Sequence, residues 1–97
     1  YARSYARGKF RIKKYGKLRI SRELKAKNIS AYNLKAGLSE IDDIEYVKTL
    51  TQLSKQKLKT IKENNSYKKR QKLYQHLAYK GFETDLIYDV INELLPM

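Results

Sequence analysis

Leu24-Lys25-Ala26-Lys27-Asn28-Ile29 returns 53 positions downstream as Leu77-Ala78-Tyr79-Lys80-Gly81-Phe82. The agreement is one of residue class and order rather than identity. Backward, Lys17 pairs with Arg70, Arg19 with Lys72 and Ile20 with Leu73. Forward, Leu34, Leu38 and Glu40-Ile41 answer to Ile87, Ile91 and Glu93-Leu94. A period near 50 residues is the mark of stacked helical units, none of which can bury its apolar face alone. Arrays of this kind typically build surfaces for binding rather than pockets for chemistry.

Composition agrees with a helical reading. One proline and four glycines in 97 residues leave few breaks, and Leu, Lys, Glu, Ala and Gln favour helix. The length allows one small domain, or a piece of a larger one, with a modest core. The expected fold is all-α: about six helices in two tandem three-helix repeats, 1–41 and 42–97, stacked into an elongated, curved array. The chain opens at Tyr1 as though already within a helix, so earlier residues are expected ahead of it.

Local signals place the helices. The first runs from Tyr1 to about Ile12, with Tyr1, Tyr5, Ala2 and Ala6 near one stripe, and Gly16 marks a break. The second covers Lys17 to Lys27, offering Leu18, Ile20 and Leu24 to the core. Asn28 stands where a left-handed residue ends a helix. Ser30 caps a third helix bearing Leu34, Leu38 and Ile41. Asp42 with Glu45 reads as a capping box opening the longest helix, to about Ile61. Its expected core face is Ile44, Val47, Thr51, Ser54, Leu58 and Ile61, with Leu50 and Leu53 beside it. Ser66 is the expected cap of the fifth helix, which turns Leu73 and Leu77 inward and ends at Gly81. The sixth starts at Glu83 or Thr84, carries Leu86, Ile87, Val90, Ile91 and Leu94, and stops before Pro96. Each unit thus reads as long helix, short helix, short helix, with Ile29 and Phe82 plugging equivalent corners.

The formal net charge of +12 points to an anionic partner: nucleic acid, an acidic protein face or a membrane surface. Its distribution says more. Residues 1–27 carry +10, residues 54–72 carry +7, and the remainder −5. A solvated lysine-rich face is the plain alternative, but such a face intersperses its signs more evenly. Clustered Lys and Arg form the footprint of a polyanion, without saying which one. Arg7, Lys9, Arg11, Lys13, Lys14, Lys17, Arg19, Lys68, Lys69, Arg70 and Lys72 are the candidate contacts. Stacked repeats would set Lys13, Lys14, Lys17 and Arg19 in places equivalent to Lys68, Lys69, Arg70 and Lys72. Nine tyrosines interleave with these runs. Most fit packing positions with a wet hydroxyl, whereas Tyr15, in the basic turn Lys13-Lys14-Tyr15-Gly16-Lys17, is the aromatic best placed to meet a ligand.

Little supports catalysis. Without cysteine there is no thiol nucleophile, disulfide or zinc–thiolate site. His76 is the single histidine, and one imidazole does not make a metal centre. Asp42, Asp43 and Glu45 are better explained by helix capping than by paired acid–base work. Gly8, Gly16, Gly37 and Gly81 are isolated, so no phosphate-cradling loop exists. No apolar run approaches the roughly 20 residues that span a bilayer. A non-enzyme without cofactor or metal is expected.

Lys9-Phe10-Arg11-Ile12-Lys13-Lys14-Tyr15-Gly16-Lys17-Leu18-Arg19-Ile20, followed by Arg22-Glu23-Leu24-Lys25-Ala26-Lys27-Asn28-Ile29, resembles the middle of the RecX family of regulatory proteins. Ile20, Glu23, Leu24, Lys27 and Ile29 match a family segment of the form I-x-x-E-L-x-x-K-G-I, with Asn28 in the usual glycine's place. Leu73, Leu77, Lys80-Gly81-Phe82 and Asp85-Leu86-Ile87 resemble the family's C-terminal repeat. The resemblance covers essentially all 97 residues and rests on order and spacing of degenerate motifs. It implies the second and third of three three-helix repeats, with the first absent. It also implies a bacterial cytoplasmic modulator of the RecA recombinase in DNA repair, recombination and the SOS response. Such a modulator lies along the RecA–DNA filament groove and inhibits ATPase and strand exchange. Two other readings use the same residues: a general nucleic-acid-binding helical domain without RecA, and an assembly module for an acidic protein.

Overall fold

In the computed structural model, which describes residues 1–96, the chain forms α1 (Ala2–Arg11), α2 (Lys17–Ala26), α3 (Ala31–Leu38), α4 (Asp43–Thr60), α5 (Ser66–Lys80) and α6 (Thr84–Leu94). No strand occurs among the described residues. α1 packs on α2 and α3, while α4, α5 and α6 pack on one another. The extents of 44 × 24 × 21 Å make the array elongated.

The 53-residue register is visible in backbone geometry. Asn28 (φ 62°) and Gly81 (φ 99°) are both left-handed. After each, the next N–H reaches back to a leucine carbonyl five residues earlier: Ile29 to Leu24 and Phe82 to Leu77, both at 3.2 Å. This is the bond that closes a Schellman-type helix end and satisfies an orphan carbonyl. Ile20 and Leu73, and Leu24 and Leu77, occupy matching positions and are all fully buried.

One continuous core serves both halves. Phe10 of α1 lies 5.7 Å from Tyr46 of α4, and Tyr46 lies 5.3 Å from Phe82 at the α5–α6 corner. Burying a Phe-sized side chain is worth about 1.5–3 kcal/mol, so this aromatic row holds the repeats together rather than merely in line. Gly37 lets α3 approach α1 closely: a Cβ there would lie 2.9 Å from the Ala2 carbonyl oxygen.

Several expectations need correction. The buried face of α4 is Tyr46, Thr49, Leu50 and Ser54, whereas Ile44 is 81% and Val47 47% exposed. Tyr46 takes the core position because its hydroxyl is satisfied: it accepts from the Lys17 N–H at 2.8 Å and donates to Glu83 Oε1. A polar tip so bonded allows burial of the ring, and the stripe rotates accordingly. In α1 the buried side is Ala2, Ala6 and Phe10, leaving Tyr1 exposed. Leu18 is half exposed. Asn65, not Ser66, caps α5, accepting from Lys68 N–H at 3.1 Å. The Ser30 and Asp42 caps form as expected, at 3.2 and 2.9 Å. The long–short–short pattern holds loosely in the second unit, with 18, 15 and 11 residues, but the first runs 10, 10 and 8.

Candidate polyanion-binding interface

The two repeats meet where the C-terminus of α5 runs into the N-terminus of α2. Gly16 N–H donates to the Lys80 carbonyl at 2.8 Å, and Leu18 N–H to the Gly81 carbonyl at 2.9 Å. Free N–H groups at one helix start thus satisfy free carbonyls at another helix end, with opposed partial charges in contact. The approach is close enough to require glycine on both sides. A Cβ on Gly16 would fall 2.4 Å from the Gly81 carbonyl carbon, and one on Gly81 would fall 2.3 Å from Arg19 Cβ.

Around this joint the basic residues interleave with tyrosine rings. The Arg19 guanidinium carbon lies 3.9 Å from the Tyr15 ring centre and 4.9 Å from that of Tyr79. Lys9 Nζ sits 5.8 Å and Lys80 Nζ 5.5 Å from the same Tyr15 centroid. The Tyr5 ring takes Lys9 at 5.3 Å and Lys27 at 5.6 Å. Each such contact is worth roughly 0.5–1 kcal/mol when exposed. The rings therefore moderate a like-charge cluster without neutralising it. Glu23 is the only acid within residues 1–27. It is already engaged, by the Tyr5 hydroxyl at 2.7 Å and by Arg19 Nε at 3.6 Å. Burial, and then the bond to Glu23, push the Tyr5 hydroxyl up to about 12, so it stays protonated and donating. An incoming anion would relieve the remaining repulsion.

The eleven sequence-derived candidates divide by environment. Lys17 pairs with Asp43 at 3.3 Å and lies over the Tyr46 ring. Arg19 also bonds the Tyr79 carbonyl at 3.2 Å. Arg70 ties α5 to the end of α6 through the Leu95 carbonyl at 2.7 Å and Asn92 Oδ1 at 2.6 Å. Lys72 pairs with Glu63 at 3.7 Å. These four hold the fold as well as carrying charge. Arg7, Lys9, Arg11, Lys13, Lys14, Lys68 and Lys69 have no carboxylate partner among the described residues. Arg7, Arg11, Lys13, Lys14 and Lys68 are exposed. Tyr15 is half-buried and ringed by cations rather than projecting freely.

The expected equivalence of the two basic runs is narrower than the sequence suggested. Lys17 with Arg70 and Arg19 with Lys72 share the 53-residue register. Lys13 and Lys14 instead occupy the turn before α2, while Lys68 and Lys69 already belong to α5, which starts earlier within its repeat. Sequence reasoning also passed over Lys27 and Lys80, which the register pairs and which both join the aromatic cluster. Arg22 and Lys25 were passed over too. Arg22 lies between two open grooves beside the α2–α5 crossing, of about 480 and 420 Å³, and Lys25 lines the second.

The chain has clear relatives. The family models for the second and the third three-helix domains of RecX match residues 1–38 and 43–91. A Regulatory protein RecX of Clostridioides difficile (strain 630) is 36% identical over 84 residues, covering 87% of this chain and 40% of that protein. Another, of Clostridium botulinum (strain Eklund 17B / Type B), is 31% identical over 97 residues, covering 98% of this chain and 45% of its own length. No solved structure matches significantly. The chain spans less than half the length of these relatives. The doubled left-handed corners, the shared core and the matches to both domain models lead to one assignment: this chain belongs to the RecX family of regulatory proteins.

Proposed function

We propose that the chain acts as the second and third repeats, 1–41 and 42–97, of a regulator that binds the RecA–DNA filament in the bacterial cytoplasm and inhibits its ATPase and strand exchange. Membership of the RecX family carries this reading, because its members are named as regulatory proteins. The physical features agree with it. An array 44 Å long with a net charge of +12 suits a long, anionic, grooved partner better than a small ligand. Arg7, Lys9, Arg11, Lys13 and Lys14, with Lys27 and Lys80 beside the joint, meet phosphates or acidic protein surface. Lys68 and Lys69 do the same on the second repeat. Modest contacts on one rigid body sum to useful affinity, since each later contact is intramolecular.

The test is the ATPase rate of RecA on single-stranded DNA with the chain titrated in, run beside its binding to that DNA alone. Inhibition well below the concentration that coats naked DNA is the expected result. Binding to naked DNA with no effect on RecA, and no binding to the filament, would replace this reading with a general nucleic-acid-binding domain. Charge reversal at Lys13 and Lys14 should weaken filament binding at about 0.15 M salt, where the screening length of about 8 Å still leaves direct contacts felt.

A further inference from the structure

Away from the joint, α5 and α6 enclose a cleft of about 410 Å³ with aromatic and amide walls. Tyr74 of α5 and Tyr88 of α6 stack at one end, with centroids 5.2 Å apart and planes at 27°. Tyr67 lines the cleft two helical turns before Tyr74, about 10 Å along the axis. Tyr67 is 74% and Tyr88 49% exposed, so core packing does not account for either ring. Between Tyr67 and Tyr74 lie Arg70, fixed by Leu95 and Asn92, and Gln71. Gln71 is exposed, and its amide both donates and accepts.

We propose that this cleft receives a nucleobase from single-stranded nucleic acid. The exposed Tyr67 ring offers an aromatic face on which one base can stack, in the same cleft as the Tyr74–Tyr88 pair. Gln71 is placed to meet the base edge. Charge sets the strand's orientation. Lys68 and Lys69 lie on the α5 side, whereas Asp85 and Asp89 are exposed on α6. The phosphates therefore follow α5 and the bases point toward α6. No carboxylate lines the cleft itself. A duplex keeps its base faces stacked inside and offers nothing to this slot.

This inference rests on the nucleic-acid half of the proposed function, and one experiment separates the two. Anisotropy titrations compare a labelled oligothymidylate with an abasic strand of the same length and charge. One stacked base is worth roughly 5- to 150-fold in affinity, and the intact chain should prefer the oligothymidylate by a factor in that range. Tyr67→Ala, at a position too exposed to matter for folding, should abolish the preference while leaving the salt dependence unchanged. Tyr67→Phe should restore it. Equal binding of both strands by the intact chain would overturn the cleft proposal and leave phosphate binding intact. A preference that survives Tyr67→Ala would overturn it as well. Failure to bind either strand would remove both the cleft and the nucleic-acid contact of the proposed function.

Discussion

Replacing Gly81 by alanine should cost several times as much as replacing Asn28 by alanine, although both residues are left-handed at the same point of their repeats. Asn28 is exposed, so Asn28→Ala pays only the strain of a left-handed alanine, about 1 kcal/mol. Gly81→Ala carries that strain and a collision. Its Cβ would stand 2.3 Å from Arg19 Cβ and 2.7 Å from Arg19 N, where ordinary contact begins at 3.4 Å. The α5 end and α2 start must then part, stretching the Gly16–Lys80 and Leu18–Gly81 bonds, each worth about 1 kcal/mol net. Overpacking adds about 1–3 kcal/mol. The total is at least about 3 kcal/mol, against about 5–15 kcal/mol for a whole domain of this size. Gly16→Ala isolates the collision, because Gly16 sits at φ −78° and alanine suffers no backbone strain there. Thermal unfolding followed by far-ultraviolet circular dichroism reads all three. At about 4–8 °C per kcal/mol, Asn28→Ala should lower the midpoint by about 4–8 °C, and Gly81→Ala by at least about 12 °C. Gly16→Ala should fall between them. Equal losses for Gly81→Ala and Asn28→Ala would show that the helix ends do not meet as described.

Three further outcomes are expected. Gly8→Ala should stabilise the chain by about 0.5–1 kcal/mol in urea unfolding, since Gly8 lies inside α1 with open space where a Cβ would go. Tyr46→Phe should destabilise by about 1–3 kcal/mol in the same assay, because the Lys17 N–H loses its acceptor beneath a buried ring. Burial, and then Lys57 and Lys80, hold the His76 imidazole below its ordinary 6.5. The neutral form is thus favoured in the fold, so its contribution is complete above about pH 6.5 and is lost as pH falls from there through the lower folded-state value. His76→Gln should flatten the slope of stability below about pH 6.5, and an unchanged slope would remove His76 from the account.

The helices were legible because their signals are local. Asn28, Ser30, Asp42, Gly81 and Pro96 act on backbone groups within a few residues, and the repeat doubled the weight of each. The core face of α4 was not legible, because two rows on that helix carry apolar side chains. Ile44 and Val47 form one, and Tyr46 with Leu50 the other. Hydropathy favours the first. What decides is whether a distant carboxylate, Glu83, and a distant N–H, Lys17, can satisfy one phenol. That information exists only after the two repeats have met.

The same limit governs the charged residues, and it bears on how they should be tested. Sequence counts cations; it does not show which of them already have partners. Arg19 and Arg70 match the polyanion pattern as well as Lys13 or Lys68, yet each clamps a carbonyl and an acceptor side chain or an aromatic ring. Removing either loosens the array and weakens binding indirectly, so loss of binding in Arg19→Ala or Arg70→Ala carries no information about contact with the partner. Lys27 and Lys80 show what counting overlooks, although Lys80 too is partly committed, its Nζ donating to the Lys13 carbonyl at 2.9 Å. Lys27 closes the first basic stretch and Lys80 lies outside both, yet the fold brings both to the ring cluster around Tyr5 and Tyr15. Their pairing at 53 residues was the available signal. In a repeat protein, then, equivalence between copies marks cations that counting overlooks, but it also marks ones that hold the fold, and partner-free exposed cations are the ones whose loss reports on binding alone.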